Sequence, residues 1–144
     1  MGAINIRPCA VLIENGSVLC IRVKYDEEFY LFPGGGVESG ETLSECVVRE
    51  MKEETGLDVA VEKLVYVNDW IANKETNDRV MNMFFLVKRT GGEILQGEKD
   101  GGKVKHIEWV PLDRFEEIDF RPKTIALRLK KDYERDFCEV PYFN

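Results

Sequence analysis

The chain has 144 residues, 44% of them hydrophobic, with a formal net charge of −7 and a predicted pI near 4.9. That length and hydrophobic content suffice for one domain that buries a core without disulfide bonds, so we expect a single domain over residues 1–144. The negative charge argues against stable binding to nucleic acids or membrane surfaces, because both are polyanionic. A small phosphorylated substrate stays compatible, since metal ions can supply positive charge.

The cysteines and the apolar runs indicate the compartment. None of the four cysteines shows CxxC spacing, and Cys9, Cys20 and Cys46 lie in apolar runs, which is typical of reduced core residues. No apolar run approaches the roughly 20 residues of a membrane span, and the N-terminus lacks the pattern of a signal peptide. We therefore expect a cytoplasmic protein.

The N-terminal part is predicted to form a β-hairpin that leads into a glycine loop. Residues 4–13 and 17–24 are rich in Ile, Val, Leu and Cys, and Asn15-Gly16 between them is a hairpin turn signal. A short strand-like run at 29–32 is followed by glycines at 34–36. Consecutive glycines let a polyanion or a metal approach the backbone more closely than any side chain would allow.

A helix is predicted to follow the loop, with a clear signal at each end. Thr42-Leu43-Ser44-Glu45 has the form of a capping box, and Gly56 suits the left-handed residue that ends a helix. Val47, Val48 and Met51 form the apolar side. The helix is therefore anchored on one side and leaves another side for its acidic residues.

Glu50, Glu53 and Glu54 crowd one face of this helix, within a sector of roughly 100°. Like charges at i and i+4 repel by a few tenths of a kcal/mol, so a cation between them is indicated. A solvated acidic face is the commoner outcome for clustered glutamates, but it does not explain the glycines that precede them. Ligands that are all oxygens suit hard cations, so Mg²⁺ or Mn²⁺ is the expected cofactor.

The rest of the chain alternates strands and turns before a second helix. Strands are predicted at 59–71 and 103–110, with a central, doubly covered strand at 80–87. Pro122 suits the first turn of a helix that uses Ile125, Leu129 and Tyr133 on its apolar face. Strands on both sides of a helix, with a helix at the end, predict an α/β or α+β protein with a mixed sheet between helices.

The segment from Gly35 to Leu57 resembles the signature of the Nudix hydrolases at every consensus position. The matching residues are Gly35, Glu41, Arg49, Glu50, Met51, Glu53, Glu54, Gly56 and Leu57. The resemblance implies an α/β/α sandwich with a mixed central β-sheet. It also implies a Mg²⁺-dependent hydrolase that cleaves a pyrophosphate bond in a nucleoside diphosphate linked to another moiety, such as a nucleoside triphosphate, a nucleotide sugar or a dinucleotide.

The resemblance also implies the metal ligands and the catalytic residues. Glu53, Glu54 and the carbonyl of Gly35 are the implied ligands, and Glu50 is a further ligand or the base that activates water. Arg49 is expected to orient the glutamates through charge-assisted hydrogen bonds. The catalytic candidates are Glu41, Arg49, Glu50 and Glu53.

Some members of the family complete the site with an acid from a distant loop. The available acids are Glu98 and Asp100, which lie in the polar stretch 93–102. We expect Glu98 to be a metal ligand and Asp100 to lie near the substrate. The alternative is that both are solvated loop carboxylates.

Substrate contacts are less constrained by the sequence. Arg7 and Arg22 are candidates for phosphate binding, and Trp70 for stacking on a base, although surface or core packing is the commoner role of such residues. The segment 72–75 carries none of the residues that mark particular subfamilies at this place. The sequence therefore predicts a small nucleotide-like substrate and does not indicate which one. The alternative function is a non-catalytic Nudix module that senses a nucleotide or an ADP-ribose-like ligand, and a homodimer is possible.

Overall fold

The computed structural model describes residues 2–24, 26–95, 98–100 and 103–144, with the backbone alone described at 98–100 and 103–105. The strands are β1 (Ile4–Val11), β2 (Ile13–Glu14), β3 (Ser17–Lys24), β4 (Glu28–Leu31), β5 (Leu57–Asn73), β6 (Asp78–Gly92), β7 (Glu98–Asp100), β8 (Lys103–Pro111) and β9 (Tyr142–Phe143). The helices are α1 (Leu43–Thr55), a 3₁₀ helix (Leu112–Glu117) and α2 (Lys123–Glu134).

The strands divide between two sheets. One sheet has the order β1-β6-β5-β9 and is mixed, because β1 runs parallel to β6 and β9 parallel to β5, while β5 and β6 are antiparallel. The other sheet is antiparallel, with the order β2-β3-β8-β7 and β4 also paired to β3. The strand predicted to be central, 80–87, lies within β6, which is interior to its sheet as expected.

The two long helices cover opposite faces of the strands. Successive side chains of a strand point to opposite faces, so Cys9 and Val11 of β1 pack in the core that contains α2, whereas Ala10 and Leu12 pack in the core that contains α1. The helices contribute Ile125, Ala126 and Leu129 to the first core and Val47 and Met51 to the second. The predicted sandwich with a mixed sheet and helices on both sides is therefore confirmed.

The predicted N-terminal hairpin is wrong in one respect. Asn15 and Gly16 do form the turn, with φ of 51° and 75°, but they join only the short β2 to β3. The preceding strand β1 ends at Val11 and pairs in parallel with β6. Residues 8–12 are buried on both faces, as is usual for a parallel strand between two helical layers, and a hairpin arm with one solvated face would not require that.

Other differences concern short elements and strand ends. The predicted strand 59–71 extends over 57–73, and the polar loop after it is a tight turn in which the Asn73 side chain accepts hydrogen bonds from the amides of Glu75 and Thr76. The polar stretch 93–102 contains β7, which pairs with β8. The 3₁₀ helix and β9 were not predicted, because elements of so few residues carry no periodic signal.

The ends of α1 agree with the sequence. Thr42 Oγ1 accepts from the amide of Glu45 at 3.1 Å, and Glu45 Oε1 accepts from the amide of Thr42 at 3.1 Å, which completes the capping box. Gly56 has a φ of 82°, the left-handed conformation that ends the helix. These local bonds fix where the acidic face begins and ends.

The second helix agrees less fully with the sequence. Pro122 lies one residue before α2 rather than inside its first turn, and Tyr133 is exposed, while Ile125 and Leu129 are buried as predicted. No helix within the described ranges is long and apolar enough to cross a membrane.

Candidate active site

The glycine loop is fixed to β1 by backbone hydrogen bonds. The amide of Ala10 donates to the carbonyl of Pro33 at 2.8 Å, and the amide of Gly35 donates to the carbonyl of Pro8 at 3.3 Å. Gly34 also forms an isolated bridge with Cys9. The loop is therefore held beside a buried strand, and the carbonyls of its glycines have defined positions.

The three consecutive glycines meet different surroundings. A Cβ on Gly34 would lie 2.6 Å from the carbonyl oxygen of Pro8, and a Cβ on Gly35 would overlap the carboxylate of Glu50. A Cβ on Gly36 would have nothing within 4 Å. A side chain at Gly34 or Gly35 would therefore meet other parts of the chain, whereas one at Gly36 would not, and the predicted approach of a metal or polyanion to this backbone stays a prediction.

Arg49 is at the centre of the acidic face, and all five of its N–H groups have oxygen acceptors. Nε and Nη2 bind the two carboxylate oxygens of Glu41 at 2.9 and 2.8 Å, in the bidentate geometry that arginine favours. Nη1 donates to Glu50 at 3.0 Å and to Glu53 at 3.2 Å. Nη2 also donates to the carbonyl of Gly36 at 3.2 Å, which ties the helix to the loop.

This arrangement stabilises the charged form of Glu41. Hydrogen bonds from Arg49, and then one from the amide of Glu38 at 2.9 Å, hold the pKa of the Glu41 carboxyl at about 2, below its ordinary value of 4.5. The hydrogen bonds with Glu41 are also the main reason that the pKa of Arg49 is raised. Glu41 and Arg49 therefore stay ionised throughout the neutral range.

We expect a pH titration to show this coupling directly. Because the folded pKa of Glu41 is lowered, its contribution to stability is present above about pH 4.5 and is lost as the pH falls towards about 2. In carboxyl-detected NMR, the Glu41 signal should stay flat while exposed glutamates titrate. Arg49→Lys keeps the charge but loses the planar fork, and it should raise the pKa of Glu41. Titration of Glu41 together with exposed glutamates in the unmodified protein would contradict the coupling.

The predicted metal ligands Glu50 and Glu53 of α1 differ in their surroundings. Glu50 is in contact with Gly35, and the side chain of Glu53 is 58% exposed. Burial raises the pKa of the Cys9 thiol to about 12, and the negative charges of Glu54 and Glu50 add to this shift. The acidic face thus begins at the glycine loop, which contacts Cys9 of β1 through Gly34 and Glu50 through Gly35.

A cavity of about 470 Å³ opens beside this face. Its lining residues come from β1, β4, β5, β6 and the segment before α2, and they are Arg7, Cys9, Leu31, Phe32, Asn68, Trp70, Val80, Asn82, Phe84, Arg121 and Pro122. Cys9 lines this cavity and lies against Gly34, and the next residue, Gly35, lies against the carboxylate of Glu50, so the cavity and Glu50 are close to each other. A bound molecule could reach both.

The structure brings two of the predicted substrate residues to the cavity and leaves one away from it. Arg7 and Trp70 line the cavity. Arg22 does not line it, because its Nε lies 3.0 Å from Glu108 on the neighbouring strand β8, in an ion pair without hydrogen-bond alignment. Its second ionic partner is Glu28. The side chains of Glu98 and Asp100 lie outside the described residues, so their roles stay predictions.

A profile described as the NUDIX domain matches residues 6–129 of the chain. The chain belongs to the Nudix family. It is 32% identical over 127 residues to an ADP-ribose pyrophosphatase of Methanocaldococcus jannaschii, a match that covers 87% of this chain and 70% of that protein. It is 36% identical over 107 residues to an 8-oxo-dGTP diphosphatase of Escherichia coli, covering 69% of this chain and 73% of the relative.

The solved structures support the same fold. The solution structure of the E. coli ORF135 protein superposes with a TM-score of 0.74, 15% identity and coverage of 96% of each chain. The named activities of the sequence relatives, together with the family match, make this chain a Nudix-type pyrophosphohydrolase.

A divalent cation fits the donor set of this Nudix site, and Nudix hydrolases generally use one. Within the described part of the chain, no three Asp, Glu, His or Cys side chains lie close enough together to form a metal site as they stand. Arg49 instead binds one oxygen of Glu50 and one of Glu53, and each carboxylate has a second oxygen outside that contact. A cation that drew on those second oxygens would leave the Arg49 bonds in place.

Sequence reasoning missed three polar residues of the cavity. Asn68 and Asn82 lie in strands β5 and β6, and Arg121 lies two residues before α2. A signal for the asparagines was available, because asparagine is depleted in strands and both interrupt apolar runs. Arg121, which stacks over Phe29 at 4.0 Å and pairs with Glu27 and Asp119, carried no such signal.

Proposed function

We propose that residues 1–144 form one Nudix hydrolase domain that splits the pyrophosphate bond of a nucleoside diphosphate linked to another moiety, with Mg²⁺ or Mn²⁺ as cofactor. The residues that would hold the cation are Glu50, Glu53, Glu54 and the carbonyl oxygen of Gly35. The observation that carries the proposal is the acidic face of α1, organised by Arg49 and placed between the glycine loop and a cavity that Arg7 and Trp70 line.

Each residue has a defined part in this chemistry. The cation supplies positive charge that offsets the charge of the diphosphate and makes water more acidic. Glu50 is held by Arg49 and rests on Gly35, and this supports its role as either a further ligand of the cation or the base that orients a water molecule and accepts its proton. Arg7 offers a permanent positive charge to a phosphate at the cavity wall. Trp70 offers a ring on which a base can stack.

The substrate is proposed as a class. The relatives are named for ADP-ribose and for 8-oxo-dGTP, and both molecules are nucleoside diphosphates with a further group attached. A non-catalytic sensor is the alternative, but it would tolerate losses among the glutamates, and this chain retains Glu50, Glu53 and Glu54. The cytoplasmic location and the possible homodimer belong to the same proposal.

A substrate screen tests the proposal. The protein is incubated with nucleoside triphosphates, dinucleoside polyphosphates, nucleotide sugars and ADP-ribose, and the products are separated by chromatography. We expect cleavage of at least one of them to a nucleoside phosphate, with Glu53→Gln as the inactive control. Tight binding without any turnover would instead identify a sensor.

Metal removal gives an independent test of the cofactor. We expect EDTA to abolish the activity, and added Mg²⁺ or Mn²⁺ to restore it, because the carboxylates and the carbonyl of Gly35 are hard oxygen ligands. The same metals should raise the melting temperature of the wild type more than that of Glu53→Gln, since a ligand that binds only the folded state stabilises it. Full activity in EDTA would contradict the proposed cofactor.

A further inference from the structure

Two asparagines face each other in the wall of the cavity. Asn68 of β5 and Asn82 of β6 are directly opposite in the antiparallel register, and Asn82 Nδ2 donates to Asn68 Oδ1 at 2.8 Å. Their exposed fractions are 6% and 9%, so both are more than nine-tenths buried. Both line the same cavity.

That single bond does not satisfy the two amides. Each asparagine carries two N–H donors and a carbonyl acceptor, and the pair uses one donor and one acceptor between its members. Among the described residues, no other side-chain hydrogen bond involves either amide. The amide nitrogen of Asn68 and the carbonyl oxygen of Asn82 are not among the described side-chain atoms that are both fully buried and without a partner, so both stay accessible from the cavity.

Packing alone does not account for the pair. The neighbours on the same side of the two strands, two residues away, are Tyr66, Trp70, Val80 and Phe84, which are large and apolar or aromatic. Asparagine is depleted in strands, where valine and isoleucine are the residues that usually fill such positions. The two amides are therefore better explained by a ligand.

The internal bond determines what the pair presents. Amide oxygen and nitrogen positions are assigned from hydrogen bonds, and a concerted flip of both amides would exchange donor and acceptor. In either orientation, the pair shows the cavity one free carbonyl next to one free amide nitrogen. This pattern matches the edge of a nucleobase, where a donor lies next to an acceptor, and it does not match a phosphate, which only accepts.

The rest of the cavity suits the same ligand. Phe32, Val80 and Phe84 give apolar and aromatic walls, and the volume of about 470 Å³ is within the usual range for a small-molecule site. Arg7 is opposite Asn82 in the parallel register of β1 and β6, and Cys9 of the same strand lies against the glycine loop that Glu50 contacts. A base held at the asparagines would thus direct its phosphates past Arg7 towards the acidic face.

We propose that Asn68 and Asn82 together bind the hydrogen-bonding edge of the nucleobase and so determine which nucleotide the domain accepts. That the selected nucleotide is also the hydrolysed substrate rests on the proposed function. That the pair binds a nucleobase does not depend on it. The pair acts on selection of the base and takes no part in bond cleavage.

Binding measurements on a hydrolysis-deficient protein test this pair. With Glu53→Gln protein, the affinities of AMP, GMP, CMP and UMP are measured by calorimetry and compared with two probes that lack a hydrogen-bond donor next to an acceptor on a base. These probes are purine riboside 5′-monophosphate, which has no exocyclic group, and ribose 5-phosphate. We expect at least one nucleotide to bind about 10–100-fold more tightly than both probes, because a site built to hydrogen-bond a ligand rejects analogues without the matching groups.

The decisive variant replaces both asparagines with leucine. Asn68→Leu with Asn82→Leu removes both partners of the bond and keeps a similar shape, so the protein should remain folded. In this double variant, the affinities for the preferred nucleotide and for purine riboside monophosphate should differ by no more than about 2-fold, instead of the about 10–100-fold expected for the parent protein. Asn5→Leu, on β1 and outside the cavity lining, is the matched control and should keep the discrimination.

A second variant covers the case in which the double leucine protein does not fold. Asn68→Asp still accepts the bond from Asn82 but replaces the free donor with an acceptor, so the preferred base should change or be lost. Equal binding of all bases and probes by the parent protein, or unchanged discrimination in the asparagine variants, would overturn the pair as the base-selecting element. Discrimination by the Glu53→Gln protein, without hydrolysis of any nucleotide by the wild type, would support the pair while contradicting the proposed function.

Discussion

Glu53→Gln and Glu54→Gln should each lower turnover by at least about 10³-fold while the protein remains folded. Glutamine keeps the shape of the side chain but loses the negative charge that a cation requires, and a bound metal contributes several kcal/mol to the transition state, with each 1.36 kcal/mol worth a factor of ten. Glu53 is largely exposed, and its contact with Arg49 is a surface ion pair of small energy. The change at Glu53 therefore reports on chemistry rather than on folding.

Glu45→Gln is the matched control for these two variants. Glu45 lies on the same helix and is exposed, and glutamine can replace glutamate in a capping box. Its turnover and its melting temperature should remain close to those of the wild type. Turnover of Glu53→Gln and Glu54→Gln within a few-fold of this control would remove both residues from the proposed site.

Alanine substitutions in the glycine loop should have three different outcomes at three adjacent positions. Gly35→Ala should displace the Glu50 carboxylate, and a misplacement of about 1 Å at a reacting group can lower the rate about 10²-fold. Stability should change little, because the displaced atoms are the flexible end of a side chain. Steady-state kinetics and thermal unfolding, measured on the same preparation, separate the two effects.

The neighbouring glycines provide the comparison. Gly34→Ala meets the backbone carbonyl of Pro8, which is not free to move, so it should destabilise the fold by about 1–3 kcal/mol. Gly36→Ala meets nothing within 4 Å and should change neither activity nor stability. If Gly35→Ala behaved like Gly36→Ala, Glu50 would not depend on the bare backbone at Gly35.

The acidic face could be predicted from sequence because its determinants are local. The capping box at Thr42 and the left-handed Gly56 fix the ends of α1, and helical spacing then determines which glutamates share a face. The contact of Arg49 with Glu53, one turn away, follows from the same spacing. The motif carried Glu41 as well, although its bidentate contact depends on the path of the loop.

The cavity could not be predicted in the same way, because residues distant in sequence form it. Asn68 and Asn82 meet only through the register of β5 and β6, and Arg7 joins them only because β1 pairs in parallel with β6. The hairpin predicted for the N-terminus would pair β1 with β3, and Arg7 and Arg22 would then lie on neighbouring strands. In the structure these arginines belong to different sheets, and Glu108 of β8 holds Arg22 away from the cavity.

The most direct measurement is a crystal structure with Mn²⁺ and a non-hydrolysable nucleotide, using the anomalous signal of manganese. The account predicts a manganese ion at roughly 2.0–2.2 Å from carboxylate oxygens of at least two of Glu50, Glu53 and Glu54, with the carbonyl of Gly35 completing the set. The nucleotide phosphates should lie on the same ion. A nucleotide bound with manganese elsewhere, and none beside these residues, would contradict the central claim.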